Sequence, residues 1–447
     1  MKSIGIDVGT TTISIVVADN QKLNLEKKYT IENGSFIPMK HSWERIQDPR
    51  IILSKVKEVL EEITNSFDDI SAIGLTSQMH GIIYTDKSGA AVSPLYTWQD
   101  GRGGQPEFDG SSICSEIKKK FGIKLPPGYG MSTHLYNVRK GIVPSEAVSF
   151  CTIGDYIGMA LTGRVFPLIH ISQAMGMGLY DYQTKSFMTD VIAACGADPG
   201  LLPEITEDLV PLGLYQGIPV SVSIGDNQAS FLGSVRDGEN TILVNVGTGS
   251  QISVLSDTYC DGPGIEARPI TGELYLLVGS AICGGAAFAA LEKFFREYAV
   301  AAGAPDTAQY EIMKRLAEQQ VDHEWKIKTT FSGTRECPDE TGSIHGINIS
   351  NFHPASMIRG VLYGMAEELQ KLYKVMEENA GIRKSRLLAS GNGIRKNTLL
   401  QDIMQECFGM PIEVEKNEEE AAVGALISAL AAIGELSVEE HLGLRKK

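Results

Sequence analysis

Two stretches of the chain alternate apolar with small or polar residues in matching fashion. Ile4-Gly-Ile-Asp-Val-Gly-Thr-Thr-Thr-Ile-Ser-Ile-Val-Val-Ala-Asp19 sets two β-rich runs about a Gly-Thr-Thr turn, which predicts a hairpin. Ile242-Leu-Val-Asn-Val-Gly-Thr-Gly-Ser-Gln-Ile-Ser-Val-Leu-Ser-Asp257 predicts another. Displaced by 238 residues, the two share Ile, Val, Gly, Thr, Val and Asp in register, six identities in sixteen positions without a gap. An ancient duplication explains this; two Gly-Thr hairpins that merely look alike are the alternative. Duplication predicts two similarly built halves, 1–233 and 234–447, facing each other across a cleft. Each half continues in α/β style. Ile51, Ile52, Val56, Val59, Leu60 and Ile63 have helical spacing, and Ser71–Thr76 follows as a strand. Pro354–Met376 reads as a long helix with its proline in the first turn, and Leu387–Ser390 as a strand. The stretch from Asp100 to Ser112 is the richest in turn residues.

Composition narrows the field of functions. At 447 residues, 43% hydrophobic, the chain is an ordinary globular protein of two or three domains. A net charge of −15 argues against binding a nucleic-acid backbone, which needs a concentrated positive field. The seven cysteines are scattered, with no Cys-x-x-Cys pair for zinc or redox chemistry, and read as reduced thiols. Met1-Lys2-Ser3 leads straight into a strand-like run and is unlike a signal peptide; the apolar run Ala421–Gly434 is too short to span a membrane. A cytoplasmic protein without a membrane partner is expected.

Several residues carry candidate chemistry. A P-loop is absent, and so is a complete Gly-x-Gly-x-x-Gly after a strand. The turns Gly9-Thr10-Thr11 and Gly247-Thr248-Gly249 offer another phosphate cradle, because small residues let successive amides approach an anion; each alone is also an ordinary turn. Gly391-Asn392-Gly393, between a strand and a helix beginning near Asn397, could let a flat ring lie on bare backbone. Asp226 stands where a β-run gives way to a helix, either as an N-cap or as a general base at a strand's carboxyl end. Asp7 interrupts an apolar strand. Buried there it needs a compensating partner, and hydrated Mg²⁺ would serve. Gln78-Met79-His80 and Trp98-Gln99-Asp100-Gly101-Arg102 combine hydrogen-bonding groups with apolar or aromatic surface, as sugar sites do; the plainer reading makes Trp98 core and Asp100/Arg102 a solvated loop pair.

As an ordered set these motifs resemble the FGGY carbohydrate kinases: Asp7-Val-Gly-Thr-Thr-Thr, Gln78-Met-His-Gly, Trp98-Gln-Asp-Gly-Arg, Gly225-Asp-Asn-Gln, Gly247-Thr-Gly-Ser, and Gly391-Asn-Gly with Glu418-Glu-Glu-Ala-Ala-Val-Gly-Ala425. The resemblance spans nearly the whole chain. It implies an α/β fold of two ribonuclease-H-like domains closing over ATP and a sugar, with Asp226 as catalytic base. It implies Mg²⁺ near Asp7, phosphates at Gly9–Thr11 and Gly247–Gly249, and adenosine along Gly391–Gly393 with Gly285. The ketose would be held by Gln78, Met79, His80, Trp98, Asp100 and Asn227. Thr97–Arg102, Gly128–Thr133 and Thr152–Tyr156 are similar to the sedoheptulokinase branch more than to the xylulokinases. In His170-Ile-Ser-Gln-Ala-Met175, which the resemblance puts at the sugar end, Gln173 and Met175 depart from the family's polar or small residues. Alternatives are another sugar or polyol specificity, or a non-catalytic sugar sensor on the same fold; homodimerisation is left open.

Overall fold

A computed structural model describes the chain apart from residues 108–109, 320–324, 335–336, 338, 416–418 and 445–447. It divides into two compact units. The first comprises Met1–Ser234, Pro269–Glu273 and Glu419–Lys447; the second comprises Val235–Arg268 and Leu274–Glu418.

The first unit is built on strands β1 (Lys2–Val8), β2 (Thr12–Asp19), β3 (Leu25–Glu32), β4 (Ile70–Ser77), β5 (Pro211–Tyr215) and β6 (Ile218–Gly225), in the order β5-β6-β4-β1-β2-β3. β1 and β2 form the expected hairpin, antiparallel, while β4 runs parallel to β1 on its other side. β1 does not alternate between buried and exposed positions: residues 3–6 are all buried, on both faces, as suits a central strand. On one face Ile4, Ile6 and Val8 join Ile52, Val56, Leu60 and Ile63 of the helix Pro49–Ser66 in the main core. That helix starts where Asp48 accepts from the Arg50 amide (2.9 Å) and Pro49 supplies a preset φ.

The opposite face is covered by the helix Glu420–Ala432, whose Ala422, Val423, Leu426 and Ile427 pack with Val16 and Ala18. The helix lies against bare backbone. A Cβ on Gly5 would stand 1.8 Å from the Ala422 carbonyl oxygen, and one on Gly74 1.8 Å from that of Ala425. A division at 233/234 would assign this helix to the second half. Its packing assigns it to the first, because Gly5 and Gly74 leave a trough in which its backbone at Ala422 and Ala425 lies.

The second unit repeats the plan with β7 (Thr241–Val246), β8 (Ser250–Ser256), β9 (Ile265–Thr271, its last three residues counted with the first unit), β10 (Leu274–Ala281), β11 (Arg386–Ser390) and β12 (Ile412–Val414), in the order β9-β10-β8-β7-β11-β12. β7 and β8 form the second hairpin, β10 extends it antiparallel, and β11 runs parallel to β7. In both sheets, then, the first hairpin strand is central, with antiparallel strands on one side and a parallel neighbour on the other. This is the two-domain α/β arrangement that the repeated hairpin implied. The long helix Pro354–Ala380 begins with proline and ends at Gly381 in the left-handed region (φ 64°).

Candidate active site

In the first unit the hairpin turn after β1 is fastened from behind. The Asn33 side-chain amide donates to the Gly9 carbonyl (2.8 Å), the Gln47 side chain to that of Thr10 (2.9 Å), and the Asn33 backbone amide to that of Thr11 (2.8 Å). With every carbonyl of the turn held inward, the amides of Thr10 and Thr11 have no acceptor among the described residues. Thr10 also ties the turn to the neighbouring loops. Its hydroxyl donates to Gln78 Oε1 (3.0 Å) and accepts from the indole N–H of Trp98 (3.0 Å). Gln78 in turn donates to Gln47 Oε1 (2.9 Å).

Asp7 lies one residue from the end of β1, opposite Ser14 on β2 and Thr76 on β4. The residue as a whole is half-buried, yet its Oδ1 is enclosed and has no hydrogen-bond partner among the described residues. Burial, reinforced by the negative charges of Asp226 and Glu419, pushes its carboxyl up to about 8. Glu419 is held in place by Lys28 (2.8 Å) and the Thr30 hydroxyl (2.9 Å). An orphaned, buried carboxylate oxygen facing further negative charge fits a divalent cation. Among the described residues no cluster of three or more His, Cys, Asp or Glu could hold a metal by itself.

Asp226 is the first residue of the helix Asp226–Ser234, directly after Gly225 closes β6, and both it and Asn227 are half-buried. It stands at the carboxyl end of a parallel strand, where open α/β sheets present their ligand-binding groups. Met79 is buried between a strand end and a helix end: Cβ atoms on Gly225 and Gly176 would come within 2.8 Å of its sulfur and methyl respectively. His80 has a left-handed backbone (φ 74°), uncommon for a non-glycine residue and a frequent mark of functional sites. Its Nδ1 donates to the Gly176 carbonyl (2.5 Å), and its ring stacks on Tyr129 at 4.3 Å and 7°.

The loop at Trp98 reverses the plainer reading. Trp98 is 47% exposed, whereas Asp100 is fully buried and Arg102 nearly so. Asp100 Oδ1 accepts from the Arg102 amide (3.1 Å) and Nε (2.7 Å); Oδ2 accepts from Arg102 Nη2 (3.1 Å) and the Arg45 amide (3.0 Å). Its acceptor positions are taken by protein donors, and through them Asp100 shapes the loop that displays Trp98. The Arg102 guanidinium also sits 4.1 Å over the Tyr96 ring. Gln173 likewise turns inward: it is fully buried, donating to the Ile224 carbonyl (3.0 Å).

The second unit assembles the remaining candidates. The Gly247 and Thr248 carbonyls accept from the amides of Gly285 (3.0 Å) and Ala286 (2.8 Å), in the first turn of the helix Gly284–Ala301, and the Gly249 carbonyl from Gly247 (2.9 Å). Here too the turn's carbonyls are bonded, those of Gly247 and Thr248 by helix amides and that of Gly249 within the turn. Added Cβ atoms would meet the Gly247 carbonyl oxygen at 2.2 Å from Gly285, and that of Val246 at 2.6 Å from Gly391 and 2.8 Å from Gly393. Gly391 (φ 89°) opens the short helix Asn392–Arg395, and Asn392 is exposed. The three glycine clusters thus form one backbone-lined patch. Glu418 lies outside the described residues.

Asn33, Gln47 and Tyr129 escape sequence reasoning. Polar residues near strand ends carry no local signal of the carbonyls they will reach, although Gly128-Tyr129-Gly130 marks a backbone packed tightly on Trp98 and His80.

Residues 3–233 match the FGGY family of carbohydrate kinases, N-terminal domain, and residues 242–433 its C-terminal domain. The chain is 26% identical over 423 residues to a sedoheptulokinase of Homo sapiens, covering 86% of each. It is 25% identical over 467 residues to a xylulose kinase of Staphylococcus xylosus, covering 97% of this chain and 90% of that one. The crystal structure of xylulose kinase from Rhodospirillum rubrum superposes with a TM-score of 0.85 at 21% identity, covering 99% and 92%. The chain belongs to the FGGY family of carbohydrate kinases. It is a phosphotransferase that phosphorylates a carbohydrate with ATP as donor. Among the described residues no helix is long and apolar enough to cross a membrane.

Proposed function

We propose that the chain phosphorylates the terminal hydroxyl of a ketose, with sedoheptulose as substrate and sedoheptulose 7-phosphate as product. The observation that carries the chemistry is Asp226 at the end of β6, near enough to Asp7 for its charge to raise the Asp7 carboxyl. Asp226 takes the proton from the sugar hydroxyl as that oxygen attacks the γ-phosphorus in line. The bond to the β,γ-bridging oxygen breaks and ADP leaves. In such reactions positioning and charge stabilisation outweigh covalent work.

Amides of Thr10 and Thr11, and of Thr248 and Gly249, would donate to phosphate oxygens, each turn kept rigid by its bonded carbonyls. Gly285, Gly391, Asn392 and Gly393 would line the adenosine. His80, Met79, Trp98 and Asn227 would hold the sugar, with Gln78 fixing Thr10 beside it. Asp7 would hold a hydrated Mg²⁺, which supplies neutralising charge to the phosphates when bound.

Sedoheptulose is favoured by the likeness to the human sedoheptulokinase and by the Thr97–Arg102 run; xylulose is the second reading, favoured by the likeness to xylulose kinases. ADP release with Mg²⁺-ATP, followed across sedoheptulose, xylulose, ribulose, fructose, glycerol and no sugar, tests both. Strongest stimulation by sedoheptulose is expected. Stimulation by another sugar moves the specificity, and none by any would return the chain to a sensor role. Asp226→Ala should lower kcat by about 10³-fold or more with little change in sugar affinity; turnover like the wild type would remove Asp226 as base.

A further inference from the structure

The short helix Ile171–Gly176 touches both the strand end that presents Asp226 and the loop that presents His80. At its start the Ser172 hydroxyl oxygen accepts from the amide of Gly225 (3.0 Å), the residue before Asp226. That hydroxyl in turn donates to His170 Nδ1 (2.8 Å). His170 is fully buried, and burial lowers its pKa to about 4, so the ring is neutral and Nδ1 can accept. The next residue, Gln173, donates to the Ile224 carbonyl (3.0 Å), which also accepts from the Thr76 hydroxyl (2.8 Å). At the other end of the helix the Gly176 carbonyl holds His80 Nδ1 (2.5 Å). Met79 fills the space between Gly176 and Gly225.

We propose that Ile171–Gly176 is a positioning bracket for the transfer step, in which Ser172 and Gln173 fix the orientation of the Ile224–Gly225 peptide, one residue before Asp226, while Gly176 fixes the His80 ring. Residues that a sugar was expected to meet therefore act through the base. Ser172 and Gln173 are positioning residues, and the buried hydroxyl, not sugar contact, explains a polar residue in this segment. The inference rests on Asp226 being the base. It adds that the angle at which Asp226 meets the hydroxyl is set by a hydrogen bond to the preceding amide, and misplacement by about 1 Å costs on the order of 10²-fold in rate.

The test compares Ser172→Ala, Ser172→Thr and Asp226→Ala in the full chain. Turnover is measured with Mg²⁺-ATP and whichever sugar of the panel above has the highest kcat/KM, and hydrogen exchange at the Gly225 amide is followed without ligands. Ser172→Ala is expected to speed exchange at Gly225 at least tenfold and to lower kcat by about 10–100-fold, with both KM values within about twofold. Ser172→Thr, which keeps the hydroxyl, should restore most of both. Unchanged exchange at Gly225, or faster exchange with unchanged kcat, overturns the bracket. So does a loss that appears in KM alone. Because Asp226→Ala is read in parallel, an inactive Asp226→Ala beside a fully active Ser172→Ala removes the bracket only, whereas an active Asp226→Ala removes the base.

Discussion

At the scale of the residue, Asp7 works against stability. An unfolded aspartate loses its proton near 3.8, whereas folded Asp7 keeps its own to about 8. Between those values the folded state binds more protons than the unfolded one, so stability falls as pH rises through that window. Asp7→Asn has no charge to bury. It is expected to melt a few degrees above the wild type at pH 8, with the two converging toward pH 4, as thermal unfolding without ligands would read. Activity should move the other way, falling about 100-fold or more, because an amide cannot balance a divalent cation. A variant that melts like the wild type across that range would mean the Asp7 carboxyl is ordinarily hydrated. The anomaly was visible in the sequence, since an acid inside Ile4–Val8 conflicts with its surroundings. Asp100 shows the reverse case. Its loop composition looked like a ligand surface, and only Arg45 and Arg102, folded around it, turn the carboxylate inward.

At the scale of the element, local pattern carries far, then stops. Both hairpins, β4, β11 and the helices at Pro49 and Pro354 follow from periodicity and caps, because the information lies within a few residues of each. Nothing local shows that Ala421–Gly434 closes the first sheet. Its partners Gly5, Gly74, Ala229 and Gly233 are remote in sequence, and bare backbone leaves no side-chain signature. The fit is tight on the helix side too: a Cβ on Gly424 would stand 1.8 Å from the Ala229 carbonyl oxygen. Backbone cannot yield as a flexible side chain can. Gly424→Ala is therefore expected to destabilise the first unit by about 3 kcal/mol or more, at the upper end of overpacking costs. Urea unfolding followed in that unit would show it, and a loss below about 1 kcal/mol would mean that the helix shifts freely.

At the scale of the whole molecule, one plan serves two ends. Each sheet sets its first hairpin strand between an antiparallel and a parallel neighbour, and each central hairpin turn has its carbonyls bonded. The repeats diverge where chemistry begins. Asp7 of the first corresponds to Asn245 of the second, an exposed amide that donates to the Ser390 hydroxyl (2.9 Å) one strand away. A carboxylate suits the copy that would face a cation; a neutral amide suits the copy that would face only phosphate and adenosine, beside Gly247–Gly249 and Gly391. The asymmetry can be tested by making the repeats alike. Asn245→Asp is exposed and should fold normally, but it sets negative charge beside the turn and Gly391. At an exposed site like-charge repulsion amounts to about 1–2 kcal/mol, so KM for ATP should rise about 5–30-fold while KM for the sugar stays unchanged. The rise should shrink as salt is added, since repulsion between accessible charges is screened. If KM for ATP does not change, the second hairpin turn is not a phosphate cradle, and the likeness between the two turns is one of fold alone.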